Sequence, residues 1–94
     1  MLFVYTKTMT NMIMWDEPKR RANIAKHGMD FADLTLEFFL NAHVEQARHD
    51  RKIAVGKLVD GTIAVIFTEL GFEALSVISM RPASQKERKR YEFI

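Results

Sequence analysis

The sequence contains no cysteine, so neither a disulfide framework nor a thiolate metal site is open to it, and that usage fits a reducing cytoplasm. It also lacks any apolar run approaching the roughly 20 residues that a membrane-spanning helix needs. The apolar residues of the first ten positions are interrupted by Lys7, and no small-residue cleavage site follows them, so no secretory signal is expected and the chain reads as soluble. The glycines form no G-x-x-x-x-G-K loop, no G-x-G-x-x-G turn and no G-x-S-x-G elbow, which removes the usual grounds for nucleotide hydrolysis or serine-hydrolase chemistry. His27, His43 and His49 stand in no H-E-x-x-H or comparable spacing with a carboxylate, so neither a metal nor another cofactor is expected. Net charge is only +2, too small for bulk electrostatics to argue a polyanionic partner. There is no internal repeat or low-complexity segment.

What is present is the composition of a folded domain, with 48% hydrophobic and 11% aromatic residues. A chain of 94 residues supports one modest core, so any active site lies on the surface of that core. Residues 1–11 show no periodicity, and Met9 and Met12 offer later starts; 1–11 is expected to be a flexible, dispensable leader, and 12–94 the single domain. Residues 12–15 read as a short strand ended by Asp16 and Pro18. Asp16 as N-cap, Pro18 in the first turn and Gly28 past the end predict a helix over 17–27. Asp30 is placed to cap a second helix, in which Phe31, Leu34 and Phe38 recur at helical spacing and Leu36, Phe39 and Leu40 widen the apolar face. Residues 41–50 are polar and aperiodic and predict a loop. Three strand-like runs follow at 52–59, 62–68 and 75–80, joined by a hairpin at Asp60 and Gly61 and a turn around Gly71, which together predict an antiparallel meander. Pro82 stops the last strand, and Ser84 with Glu87 has the S-x-x-E form of a capping box opening a third helix. The fold class is α+β in the order β-α-α-β-β-β-α.

The basic residues gather in three stretches, 19–26, 48–52 and 81–90, which either converge on one patch or remain separate solvated faces. In the first helix the spacing of Lys19, Asn23, Lys26 and His27 puts all four on one face. In the last, Ser84, Glu87, Arg88 and Tyr91 share a face, with Arg81 at the strand end just before it. That inventory suits RNA cleavage without a metal, in which a base takes the 2′-hydroxyl proton, cations hold the charge on the phosphorane and an acid protonates the leaving oxygen. Arginine suits the second task because its planar fork meets two phosphate oxygens and stays charged. Structural alternatives stand beside each role. Glu87 also completes a capping box, His27 is favourable in a last helical turn, and Arg88 is spaced to pair with Glu92.

Trp15 and Asp16, then Lys19, Asn23 and the run Lys26, His27, Gly28, followed by Phe31, resemble the amino-terminal signature of the BrnT ribonuclease toxins. Ile78 to Ser84, with Glu87, Arg88 and Tyr91, resembles that family's carboxy-terminal signature. The resemblance implies a RelE-like antiparallel sheet flanked by helices and a metal-independent endoribonuclease that inhibits translation. Its implied partners are an RNA substrate and a BrnA-type ribbon-helix-helix antitoxin, bound in a hetero-oligomer that meets operator DNA only through the antitoxin, with no membrane. Matched onto this chain, the candidate catalytic residues are Arg81, Arg51, His27, Glu87 and Tyr91, and the candidate phosphate-binding residues are Lys19, Lys26, Arg88 and Asn23. Arg51 and Arg81 are expected to hold the scissile phosphate, Glu87 or His27 to act as base, and Tyr91 to act as acid or stacking surface. Trp15, Gly28 and Phe31 read as packing and backbone requirements. The alternative is a non-catalytic RNA- or protein-binding module of the same fold.

Overall fold

The computed structural model describes residues 12–59 and 61–92; the leader expected over 1–11 lies outside them. β1 (Ile13–Trp15) enters α1 (Glu17–His27) with Asp16 as extended N-cap, and the Asp16 carboxylate accepts the Lys19 backbone N–H. Gly28 closes α1 at φ 70°, a left-handed conformation that costs glycine nothing, and its N–H donates to the Ile24 carbonyl. The Glu17 carboxylate accepts from Trp15 Nε1 and from Arg20, whose other donors grip Asp30 at 2.9 and 3.2 Å. This chain of contacts ties the start of α1 to the segment after its end.

The second helix expected from Phe31 onward is divided. A 3-10 turn (Phe31–Asp33) gives way to extended Leu34 and Thr35, and α2 (Leu36–Asn41) starts anew with the Thr35 hydroxyl accepting the Phe38 N–H. Side-chain oxygens compete with the helical ladder here, since Asp30 and Thr35 each satisfy a first-turn donor. The apolar spacing survives the break, because Phe31, Leu34 and Phe38 are all buried.

The loop expected over 41–50 contains a strand, β2 (His43–Gln46), antiparallel to β3 (Lys52–Leu58). It is a polar edge strand, so hydrophobic alternation does not announce it. β3 pairs antiparallel with β4 (Gly61–Leu70), and β4 with β5 (Ala74–Pro82), which Pro82 ends as expected. Leu58 pairs with Gly61, so the hairpin turn sits one residue earlier than expected and begins at Val59, at φ 56°. The expected antiparallel meander is present as β3-β4-β5, and β1 runs parallel to β5, so the five-stranded sheet of order β1-β5-β4-β3-β2 is mixed where the family resemblance implied an antiparallel one. The crossover through α1 and the following elements lets β1 enter in that direction.

The main core lies between one sheet face and the 3-10 turn and α2, and includes Phe31, Leu34, Phe38, Ala54, Val65, Phe67, Val77 and Met80. α2 approaches β3 over Gly56, where a Cβ would stand 3.1 Å from the Phe38 ring. α3 (Gln85–Glu92) covers part of the other face, over a small cluster of Val55, Ala64 and Ala83 joined by Ile53 and Tyr91. No residue of α3 is buried.

One irregularity decides which side chains reach that second face. Phe67 pairs with Val77, but Ile66 pairs with Ser79, so Ile78 is an extra residue in β5. A one-residue bulge reverses the alternation of everything after it. Val77 and Met80 thus share the core face, while Ser79 and Arg81 turn to the side of α3. Without the bulge, Arg81 would be in phase with Val77 and point into the core.

Candidate active site

β1 is only three residues long, so β5 has an uncovered edge beyond Val77. α1 lies along it, joined by Asn23. The Asn23 amide donates to the carbonyls of Met80 (2.9 Å) and Met29 (3.0 Å), and its oxygen accepts the Met80 N–H at 3.0 Å. The side chain thus imitates a neighbouring strand for one residue. Asn23 is 6% exposed and both its amide protons are engaged, so this candidate phosphate ligand is instead a pin between α1 and the sheet.

Pinning α1 there creates a cleft of about 440 Å³ lined by Lys19, Asn23, Lys26 and His27 of α1 and by Ser79 and Arg81 of β5. Three permanent cations and one imidazole surround it, and no carboxylate lines it among the described residues. Lys26 and His27 stand in the last turn of α1, where the negative end of the helix dipole favours positive charge.

Arg81 is held from the side of α3. Its Nη1 and Nη2 donate to the two Glu87 oxygens at 2.8 and 2.9 Å, and Nη1 also donates to the Pro82 carbonyl. Glu87 accepts the Ser84 N–H at 2.9 Å while the Ser84 hydroxyl accepts the Glu87 N–H at 3.1 Å, completing the expected capping box. The Arg81 guanidinium, then the Ser84 N–H, hold the Glu87 carboxyl down to about 2 against the opposing effect of burial. With both oxygens engaged by Arg81 and one also by the Ser84 N–H, Glu87 is the mount that holds the Arg81 guanidinium in place. Among the described residues, Arg81 Nε–H and the second Nη2–H have no partner. These two donors form the remaining fork of the guanidinium.

Other expected residues do not join this cleft. Arg51 is exposed in the turn between β2 and β3, its carbonyl and N–H closing that turn. Val55, Ala64 and Arg81 lie in one row of the sheet, so Arg51 stands about four residues along and two strands across from Arg81, roughly 16 Å between backbones. Arg51 is not part of the lining of the cleft that contains Arg81. Tyr91 packs on Val55, Ala64 and Ala83 and lines a separate depression with Phe38, Asn41 and Lys57. Arg88 donates to the Ala83 carbonyl and forms no ion pair with Glu92.

The structure adds residues that were missed. His43 and Glu45, two apart on β2, share a face, and His43 Nε2 is 2.8 Å from a Glu45 oxygen whose mate accepts from Arg90. Arg90, then His43, lower the Glu45 carboxyl below its usual range. The alternation of H-V-E-Q was the available signal, hidden by the expectation of a loop. Among the described residues no group of three metal-ligating side chains gathers, and no helix is long and apolar enough to cross a membrane.

Residues 15–87 match the family model described as the ribonuclease toxin, BrnT, of type II toxin-antitoxin systems. The chain belongs to the BrnT ribonuclease toxin family. It is also similar to the crystal structure of the Brucella abortus ribonuclease toxin BrnT, at 62% identity and a TM-score of 0.74, over 78% of this chain and 96% of that one. Comparison with curated protein sequences gives no match. The BrnT match thus spans both rims of the cleft, α1 and the Arg81–Glu87 pair, and the family carries ribonuclease activity and an antitoxin partner with it.

Proposed function

We propose that this chain is a metal-independent endoribonuclease that cleaves RNA by attack of the 2′-hydroxyl on the adjacent phosphodiester. The observation that supports it is the cleft in which Lys19, Lys26 and Arg81 stand beside the His27 imidazole, with no carboxylate in the lining among the described residues. The free fork of Arg81 grips two non-bridging oxygens, and Lys19 and Lys26 offset the charge that grows on the phosphorane. His27 supplies the one imidazole in that lining, the side-chain type that most often moves protons in catalysis. It accepts the 2′-hydroxyl proton, the new O2′–P bond forms, the P–O5′ bond breaks, and the departing oxygen takes a proton from solvent. The products are a 2′,3′-cyclic phosphate and a 5′-hydroxyl end. Arg51 and Arg88 meet flanking phosphates of the strand and add affinity without specificity.

Cleavage of translated RNA halts protein synthesis in the cytoplasm. A BrnA-type ribbon-helix-helix antitoxin neutralises the chain by covering the cationic cleft in a hetero-oligomer, and that complex reaches operator DNA through the antitoxin.

The test is incubation of purified chain with end-labelled RNA in excess chelator. Cyclic-phosphate ends are expected, and a folded Arg81→Ala variant is expected to cleave about 100-fold or more slowly, the scale for losing a preorganised charge donor. A salt-sensitive gel shift without products would establish a binding module instead. Wild-type rates in folded Arg81→Ala would overturn the central role of that residue.

A further inference from the structure

A second cavity, of about 140 Å³, opens on the same sheet face beyond the Arg81–Glu87 pair, lined by His43, Glu45, Ile53, Val55, Glu87 and Arg90. Glu87 belongs to its wall and also holds Arg81, so the ion pair is the ridge between this cavity and the cationic cleft. His43, Val55, Ala64 and Arg81 form one row across four strands, which places the two depressions side by side along a single path over the sheet.

The lining is not that of a phosphate site, because two carboxylates face it. Its volume is that of one aromatic ring, close to an engineered cavity of about 150 Å³ that accepts benzene. Its floor is apolar, from Ile53 and Val55, and its rim carries a planar imidazole and a planar guanidinium. Unpaired RNA bases are recognised by that combination, stacked on histidine or arginine planes and hydrogen-bonded along an edge. The rim is preorganised. The Glu45 carboxylate, ionised beside Arg90, obliges His43 Nε2 to be the donor between them. Arg90 keeps donors beyond the one given to Glu45, and the carboxylates keep lone pairs, so donors and acceptors are both available to a base edge.

The geometry points to this cavity as a nucleobase subsite that receives one unstacked base next to the cleaved phosphodiester and sets the sequence preference of cutting. It rests on the ribonuclease reading above, to which it adds a specificity site. The Arg81–Glu87 ridge then separates where the phosphate is held from where the base is read.

The experiment uses a randomised RNA pool, cleaved by the full chain and by His43→Ala, Arg90→Gln and Ile53→Phe, with cleavage sites read by sequencing. Ile53→Phe fills the cavity while leaving every ion pair of α3 in place, and so guards against variants that merely loosen the helix. Wild type is expected to favour one base at a fixed position beside the cut. All three folded variants are expected to lose that preference by at least about fivefold, the lower end of what hydrogen-bonded reading of one base edge contributes to discrimination, while still cutting at Arg81-dependent rates. Retained preference in folded, active Ile53→Phe and His43→Ala would overturn the subsite. If wild type does not cut, the ribonuclease reading fails by itself, and the cavity is read by fluorescence anisotropy of the four homopolymer oligonucleotides. A base-dependent affinity flattened by Ile53→Phe supports the subsite, and affinity indifferent to base and variant overturns it.

Discussion

Replacing Glu87 with glutamine separates two accounts of the Arg81–Glu87 pair. The Glu87 carboxyl lies near 2 against an ordinary 4.5, which at about 1.4 kcal/mol per pH unit would amount to about 3 kcal/mol in full enclosure. The Glu87 and Arg81 side chains are 17% and 33% exposed, and solvent screening at a partly open pair reduces that to about 1–2 kcal/mol. Because the folded pKa is depressed, this stability is fully present above about pH 4.5 and is lost as pH falls towards 2. Urea unfolding is therefore expected to find Glu87→Gln about 1–2 kcal/mol less stable than wild type at pH 7, with the gap closing towards pH 2.5. In catalysis, Glu87→Gln is expected to lower the rate by loosening Arg81 while leaving the acid limb of the pH–rate profile in place. A stability gap that stays constant with pH, or a Glu87 carboxyl that titrates near 4.5 by NMR, would refute the pairing. Disappearance of the acid limb, with a loss of about 100-fold or more, would restore Glu87 as the base.

Asn23→Ala strands the N–H and carbonyl of Met80 at the sheet edge, and a loss of about 2–4 kcal/mol is expected in urea unfolding; unchanged stability with lost RNA affinity would return Asn23 to the phosphate. Val59 adopts φ 56° while 94% exposed, so Val59→Asn is expected to raise stability by about 1 kcal/mol and the melting temperature by a few degrees. Removing residues 1–11 is expected to leave the circular dichroism spectrum and cooperative unfolding intact, and an unfolded product would show that the leader belongs to the domain.

α1 was legible from start to end, because Asp16, Pro18 and Gly28 act within a residue or two of where they stand, through a side-chain cap, a preset φ and a left-handed closure. The capping box of Ser84 and Glu87 and the apolar strands were legible for the same local reason. Several features depended instead on partners far along the chain. β2 is polar and becomes a strand because β3 offers it hydrogen bonds. Asn23 is buried because Met80, 57 residues away, needs a partner where β1 runs out. The basic stripe of α1 was visible in its spacing, but the cleft required the bulge at Ile78, a question of register between β4 and β5 that neither strand's own pattern specifies. That extra residue turns Arg81 out of the core towards Glu87; composition and local spacing name the charged groups, whereas pairing between distant strands selects which of them meet.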